Sequence, residues 1–243
     1  MAIPHTAMLL AAGLGKRMQP ITDTLPKPLV KVAGKSLIDW ALDALDVAGV
    51  KRAVVNVHYL ADQMETHLKA RQSPGITISD ERAELLDSAG GIVNALPLIG
   101  PDAFYILNAD TFWIEGSKPN LVQLAEAWDA STMDILLMIA RIDQATGHEG
   151  RGDFTMAADG TLARYREDNG SPYIYAGAAI VHPQLFAGKP AVRASLNRYF
   201  DEAISTGRLY GMPMEGYWLT VGTPAAIGAA EAAILRLGQG NHG

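Results

Sequence analysis

The span from Leu10 to Lys31, LAAGLGKRMQPITDTLPKPLVK, sets a glycine-rich turn, a Lys-Arg pair and a Pro-Lys-Pro lysine within one short piece of chain. Ala7 to Ala11 is an apolar run of the kind that forms a buried parallel strand. Gly13 and Gly15 then allow a tight turn that offers backbone N–H groups to an anion. Lys16 and Arg17 follow at once. The planar fork of Arg17 suits phosphate oxygens, while Lys27, held between Pro26 and Pro28, projects a point charge from a stiffened loop. These groups together predict a strand running directly into a nucleoside triphosphate site.

Two familiar glycine fingerprints do not fit. A dinucleotide-binding turn needs a third glycine where this chain has Met18, and a P-loop needs Ser or Thr where it has Arg17. What the sequence lacks narrows the chemistry further. With no cysteine there is no disulfide framework, thiolate metal site or cysteine nucleophile. The six histidines show no metal-ligand spacing and no G-x-S-x-G turn marks a serine nucleophile, so covalent catalysis is not the leading expectation. A net charge of -6 argues against nucleic acid or an anionic membrane as the main partner. No apolar stretch approaches the ~20 residues of a membrane helix, and the first residues lack the basic start of a secretory leader. The expected setting is the cytoplasm, as a monomer or small homo-oligomer.

After the glycine loop, helical and extended patterns alternate, which predicts an α/β fold with helices on a mostly parallel sheet. Helices are expected over 37–48, 61–71 and 121–128, and strands over 53–57, 77–80, 104–108 and 134–142. Past His148 the pattern becomes β-rich. Residues 154–157 and 162–166 read as a hairpin turning at Asp159-Gly160, and 176–181 as a further strand. A last helix starts at Pro224, behind Thr223, and closes at Gly238. No Pro/Gly/Ser linker interrupts the 243 residues, and 49% of them are hydrophobic, enough for one large core. One domain over 1–243 is therefore expected, with a nucleotide-binding half to about residue 115 and an acceptor-binding half with the C-terminal helix after it.

Asp110 is the second strong signal. A carboxylate at the carboxyl end of a buried strand faces the crevice where doubly wound sheets bind ligands, and magnesium takes such a ligand beside phosphate oxygens. The same residue would also serve to cap the turn before Thr111. Ser88-Ala89-Gly90-Gly91-Ile92 has two readings as well: a bare surface for an uncharged ring or ribose, or a tight loop leading into a helix.

Taken together, these motifs resemble those of the sugar-1-phosphate nucleotidyltransferases. That family opens with L-A-G/A-G-x-G-x-R-M/L-x-P-x-T, continues with P-K-P-L, and then has G-K/R-P-x-I, matched here by Gly34-Lys35-Ser36-Leu37-Ile38. LDSAGGI, residues 86–92, looks most like the version in short N-acetylmuramate-1-phosphate uridylyltransferases. The resemblance implies a single-domain, doubly wound, mostly parallel Rossmann-like mixed sheet with a β-rich acceptor lobe. It also implies Mg²⁺-dependent joining of a nucleoside triphosphate to a sugar 1-phosphate, with release of pyrophosphate. UTP and N-acetylmuramic acid 1-phosphate are the implied substrates, with GTP and mannose 1-phosphate, or dTTP and glucose 1-phosphate, as alternatives.

By the same resemblance Leu10, Ala11, Ala12, Gly13, Gly15, Lys16, Arg17, Lys27, Ser88, Gly90 and Asn108 belong to the nucleotide. Arg17 would take the leaving pyrophosphate, Lys27 the α-phosphate and Asp110 the metal. Asp153, Glu167, Asn169, Gly177 and Trp218 fall in the sugar-phosphate half. Trp218 to Pro224 matches W-x-D-V-G-T-P except at Thr220, where the family carries a second metal-binding aspartate. A neutral hydroxyl is a much poorer magnesium ligand than a carboxylate. Thr220 therefore also keeps in view a non-catalytic nucleotide-sugar sensor.

Overall fold

The computed structural model describes residues 3–240. Strand β1 (Thr6–Leu10) buries Ala7, Met8 and Leu9 completely, as an apolar run with no polar face must when helices cover both sides of a sheet. The glycine loop follows, and then a two-stranded ribbon of β2 (Lys31–Val32) and β3 (Lys35–Ser36). Helix α1 (Leu37–Val47) begins where the Ser36 side chain accepts the Asp39 N–H at 3.3 Å. Next come β4 (Arg52–Val57), α2 (Ala61–Leu68), β5 (Gly75–Asp80) and α3 (Asp87–Ile99). β6 (Phe104–Asn108) then carries the chain to Asp110.

These strands lie parallel in the order β5-β4-β1-β6. Leu10 is in register with Asn108. The glycine loop and Asp110 therefore leave the same edge of the sheet side by side, which is where such sheets bind ligands.

Beyond β6 the sheet changes direction. The chain passes through β7 (Thr111–Ile114), α4 (Asn120–Ala127), β8 (Ile135–Arg141) and β9 (Ala145–Thr146). β10 (Phe154–Met156) and β11 (Leu162–Arg164) form the expected hairpin. β12 (Tyr173–Val181) runs antiparallel between β6 and β8, so the sheet is mixed. After α5 (Asn197–Ser205), β13 (Leu209–Pro213) pairs in parallel with β8. β14 (Tyr217–Thr220) joins β7 and β9 in a small second sheet, and α6 (Pro224–Gly240) follows.

Two local expectations are corrected. Gly238 does not stop α6, because it does not adopt the positive φ that turns a helix end into a left-handed cap. Ser88 to Ile92 lie within α3 rather than in a loop before it.

The core has layers. α1, α2 and α4 pack on one face of the large sheet, with Leu42, Met64 and Leu124 buried there. α3 and α5 pack on the other, with Ile92 and Phe200. A smaller cluster joins α6 to the second sheet through Ala230, Leu219 and Phe112. No helix among the described residues is long and apolar enough to cross a membrane.

Leu9 sits wholly buried in the central strand. Leu9→Ala should lower stability by about 2–5 kcal/mol through lost burial and a residual cavity. The check is a urea unfolding curve, where the midpoint should fall at unchanged slope. A loss under about 1 kcal/mol would show that this layer is not close-packed.

Candidate active site

The glycine loop is folded back on itself. Gly15 has φ 62°, and its carbonyl accepts the Met18 N–H at 2.8 Å and the Thr22 hydroxyl at 2.9 Å. A side chain at Gly15 would begin 3.0 Å from Cβ of Lys27 and 2.9 Å from Cγ2 of Thr22, so the stem of Lys27 leans on bare backbone. From there Lys27 Nζ reaches Oδ2 of Asp110 at 2.6 Å. The Lys27 side chain is only 13% exposed and that of Asp110 37%, so the pair is partly shielded from solvent screening.

Two cavities meet at this ion pair. The smaller, of about 420 Å³, is lined by Leu10 to Gly13, Lys27, Asn56, Asp87, Ser88 and Arg193, among others. The larger, of about 600 Å³, is lined by Arg17, His148, Asp153, Tyr175, Trp218 and Thr220, among others. Asn108 and Asp110 line both. An annex of about 250 Å³ bounded by Ser88, Asp153 and Arg164 also touches Asn108. Two ligands, one per cavity, would bring their facing ends together at Asp110. A lysine at that point can neutralise phosphate charge, and the carboxylate beside it can orient the lysine or hold a cation.

The second half of the chain builds the larger cavity around Asp110. The Val221 N–H donates to the Asp110 carbonyl at 3.1 Å, fixing the end of β14 against the end of β6. Thr220 stands in register with Thr111 across the β7–β14 pair. The guanidinium of Arg17 lies over Gly222, where an added Cβ would be 3.5 Å from Cζ. Trp218 Nε1 donates to the Ala176 carbonyl at 2.8 Å, and Asp153 Oδ2 accepts the Tyr175 N–H at 2.8 Å. Two buried polar atoms of this wall, His148 Nε2 and the Tyr175 hydroxyl, have no hydrogen-bond partner among the described residues. Burial, with the charge of Asp110 adding to it, pushes the Tyr175 hydroxyl well above the usual tyrosine range.

Most of the expected residues come together here, and some do not. Leu10, Ala11, Ala12, Gly13, Lys27, Ser88, Asn108 and Asp110 line the smaller cavity, while Arg17, Asp153, Trp218 and Thr220 line the larger. Gly15 acts behind the site by supporting Lys27, and Lys16 is exposed outside both cavities. Gly177 is buried against Thr111 and Asn108. Gly90, expected at the nucleotide, is instead a packing position: its N–H donates to the Ala194 carbonyl at 3.3 Å, and a Cβ would collide with the Val192 carbonyl oxygen at 2.2 Å.

Glu167 and Asn169, expected at the sugar, lie outside the cavities. Glu167 is 72% exposed and paired with Arg151. Both ends of the Asn169 amide close its own turn, through the Arg166 N–H and the Arg164 carbonyl. Asp87 and Tyr175 fall beside motif residues in the sequence, whereas no family motif marks Asn56, Glu81 or Arg193. For Asn56 a signal existed, a polar residue inside the apolar run AVVNV; Arg193 had no motif to mark it.

Among the described residues no group of three or more His, Asp or Glu could cage a metal ion. Asp110 is the one carboxylate that lines both cavities, and the neutral Thr220 lines the larger of them. That suits a cation such as magnesium, which is held through one or two carboxylates plus substrate phosphates and water rather than by a protein cage.

Residues 6–148 match the nucleotidyl transferase family. Over 236 residues, 95% of this chain and 97% of the relative, the sequence is 44% identical to the N-acetylmuramate alpha-1-phosphate uridylyltransferase of Caulobacter vibrioides. A protein of the same description from Neisseria meningitidis serogroup B is 34% identical over 93% of this chain and 96% of its own length. Among solved structures, the inositol-1-phosphate CTP transferase from T. maritima aligns with a TM-score of 0.75 at 17% identity, covering 93% of this chain and 92% of that one. That last likeness concerns the fold alone.

Gly15→Ala should carry about 1–2 kcal/mol of left-handed backbone strain. The new methyl also presses on the Lys27 stem, so turnover should fall along with the melting temperature. Calorimetry and initial rates on the purified variant check both, and an unchanged melting temperature would contradict the strained turn.

Proposed function

The chain belongs to the nucleotidyl transferase family, and we propose that it transfers the uridylyl group of UTP to N-acetylmuramic acid 1-phosphate, releasing pyrophosphate. The observation that carries this reading is the meeting of two cavities at Asn108 and Asp110, with Lys27 on the boundary. The choice of substrates is supported by the two relatives of that activity, alike over nearly their whole length. A role in recycling cell-wall sugar in the cytoplasm, where UTP is available, follows from the same choice.

A phosphate oxygen of the sugar 1-phosphate attacks the α-phosphorus of the nucleotide. The new P–O bond forms as the bond to the β-phosphate oxygen breaks on the opposite side, and pyrophosphate leaves with the electron pair. Positioning and charge neutralisation supply the catalysis. Lys27 Nζ shifts from Asp110 to the α-phosphate and meets the charge that develops there. Arg17, expected at the nucleotide, lines the larger cavity beside Gly222, and from there its donor fork meets phosphate oxygens brought up to Asp110. Asp110 and Thr220 are the residues that would hold Mg²⁺, which adds charge neutralisation and a fixed phosphate geometry. A serine or cysteine nucleophile is not required.

Pyrophosphate release measured for a panel of triphosphates against sugar 1-phosphates tests the assignment. UTP with N-acetylmuramic acid 1-phosphate should give the highest kcat/KM, and preference for GTP with mannose 1-phosphate, or dTTP with glucose 1-phosphate, would replace it. No turnover with any pair would favour a nucleotide-sugar sensor. Lys27→Ala should lower kcat by about a hundredfold or more, the size of a lost transition-state donor. Retention of half the wild-type rate would remove Lys27 from catalysis. Thr220→Asp should lower the Mg²⁺ concentration for half-maximal rate by adding a second carboxylate. An unchanged or higher half-saturation point in a magnesium titration of the folded variant would mean that position 220 does not face the ion.

A further inference from the structure

Beneath the smaller cavity runs a buried chain of hydrogen bonds that neither the reaction nor the family motifs call for. The Ala11 N–H donates to Asn56 Oδ1 at 2.7 Å, and Asn56 Nδ2 donates to Glu81 Oε1 at 2.7 Å. The other carboxyl oxygen, Oε2, accepts the Leu86 N–H at 3.2 Å. Asn56 and Glu81 are each 2% exposed. Ala11 belongs to the glycine turn on one wall of the cavity, and Leu86 directly precedes Asp87 and Ser88 on another. One carboxyl group thus ties the two walls together. Gly91 leaves the room for it, since a Cβ there would sit 2.6 Å from Glu81 Oε1 and 2.7 Å from Asn56 Nδ2.

The order of donors and acceptors allows only a group that accepts twice at position 81. Both ends of the chain, Ala11 and Leu86, are fixed N–H donors, and the Asn56 amide between them offers one acceptor and one donor. Carboxylate oxygens complete the sequence with every group paired. A carboxamide cannot. If its oxygen faces Asn56, its NH₂ meets the Leu86 N–H; if its oxygen faces Leu86, its NH₂ meets the Asn56 NH₂. Flipping Asn56 to relieve that second clash only sets the Asn56 NH₂ against the Ala11 N–H. A buried donor is left unpaired in every arrangement, and such a group costs far more than the bond it replaces gains.

We infer that Glu81 is a positioning residue for the nucleotide: acting through Asn56 it fixes the Ala11 peptide, and acting through Leu86 it fixes the start of α3, so the two walls are set before ligand enters. Ala11 has its N–H committed to Asn56, and the backbone of Ala12 and Gly13, which lines the cavity, takes its direction from the anchored peptide before it. Burying a carboxyl here works against stability, since desolvation raises the Glu81 pKa and an apolar pair would pack at lower cost. Such a cost is expected where a site is being held in shape. The inference rests on the assignment of the smaller cavity to the nucleotide.

Glu81→Gln tests it with the shape conserved. Titration calorimetry with UTP should show a Kd raised by about tenfold or more, the size expected for one buried donor left unpaired. The KM for the sugar 1-phosphate should stay within about twofold of wild type, which separates a lost nucleotide wall from general loosening. Asn56→Ala should weaken UTP similarly, and the two losses should not add, because both break one network. A folded Glu81→Gln that binds UTP as wild type does, or that loses both substrates equally, overturns the inference. If Glu81→Gln does not fold, the same titration on Asn56→Ala decides, and unaltered UTP affinity there overturns it. Wild-type protein that binds no nucleoside triphosphate would overturn the functional reading and this inference together. Wild-type binding with unmoved variants overturns this inference alone.

Discussion

The contact between Lys27 Nζ and Asp110 Oδ2, 2.6 Å long and partly withdrawn from water, is the point to which the rest of the molecule is fitted. Its two halves come from residues 83 apart in sequence. They meet because β1 and β6 are parallel neighbours in a register that sets Leu10 beside Asn108. A shift of that register would carry the glycine loop past Asp110 and separate Lys27 from its partner. The pair has a consequence for reactivity as well. Both charges stand in place before a phosphate arrives, so in the mechanism proposed above little reorganisation is required as Lys27 turns to the α-phosphate. Removal of either partner leaves a half-buried charge unmatched, which is why substitutions here should act on the site far beyond the atoms deleted.

The second layer of support lies outside the large sheet. β7 leaves Asp110 and runs antiparallel to β14, whose end returns the Val221 N–H to the Asp110 carbonyl. Behind that ribbon Trp40 of α1 stacks on Phe112 with ring centroids 4.7 Å apart. α6 closes the same cluster. The edge that carries Asp110 and Thr220 is thus braced by aromatic packing and by a helix from the far end of the chain. A substitution at Thr220 that keeps the backbone should therefore change the donor set without moving Asp110.

How much of this was legible in the sequence depended on how local the cause was. The glycine loop, the apolar strands and the β10–β11 hairpin follow from neighbouring residues, so the α/β order and most of the lining of the smaller cavity could be read directly. Asp110 was legible because a carboxylate at the end of a buried strand has few other uses. The sugar side was harder. Glu167 and Asn169 have the right chemistry, yet Glu167 lies in an exposed ion pair with Arg151 and both ends of the Asn169 amide close its own turn. Gly90 looked like a ligand surface, but its bareness serves the approach of the Val192 to Ala194 segment, about a hundred residues further along. The Asn56–Glu81 chain leaves one local sign, the polar Asn56 within the run AVVNV, and its bonds exist only once β4, β5 and α3 are packed together.

The central claim is that two substrates are brought face to face at the Lys27–Asp110 pair, and that the acceptor attacks the nucleotide directly. The stereochemical course at phosphorus tests it most directly. With UTP carrying a sulfur and a defined configuration at the α-phosphorus, the recovered nucleotide sugar should have the inverted configuration, as a single in-line displacement requires. Retention would require two displacements through an enzyme-bound nucleotidyl group, and would contradict the account.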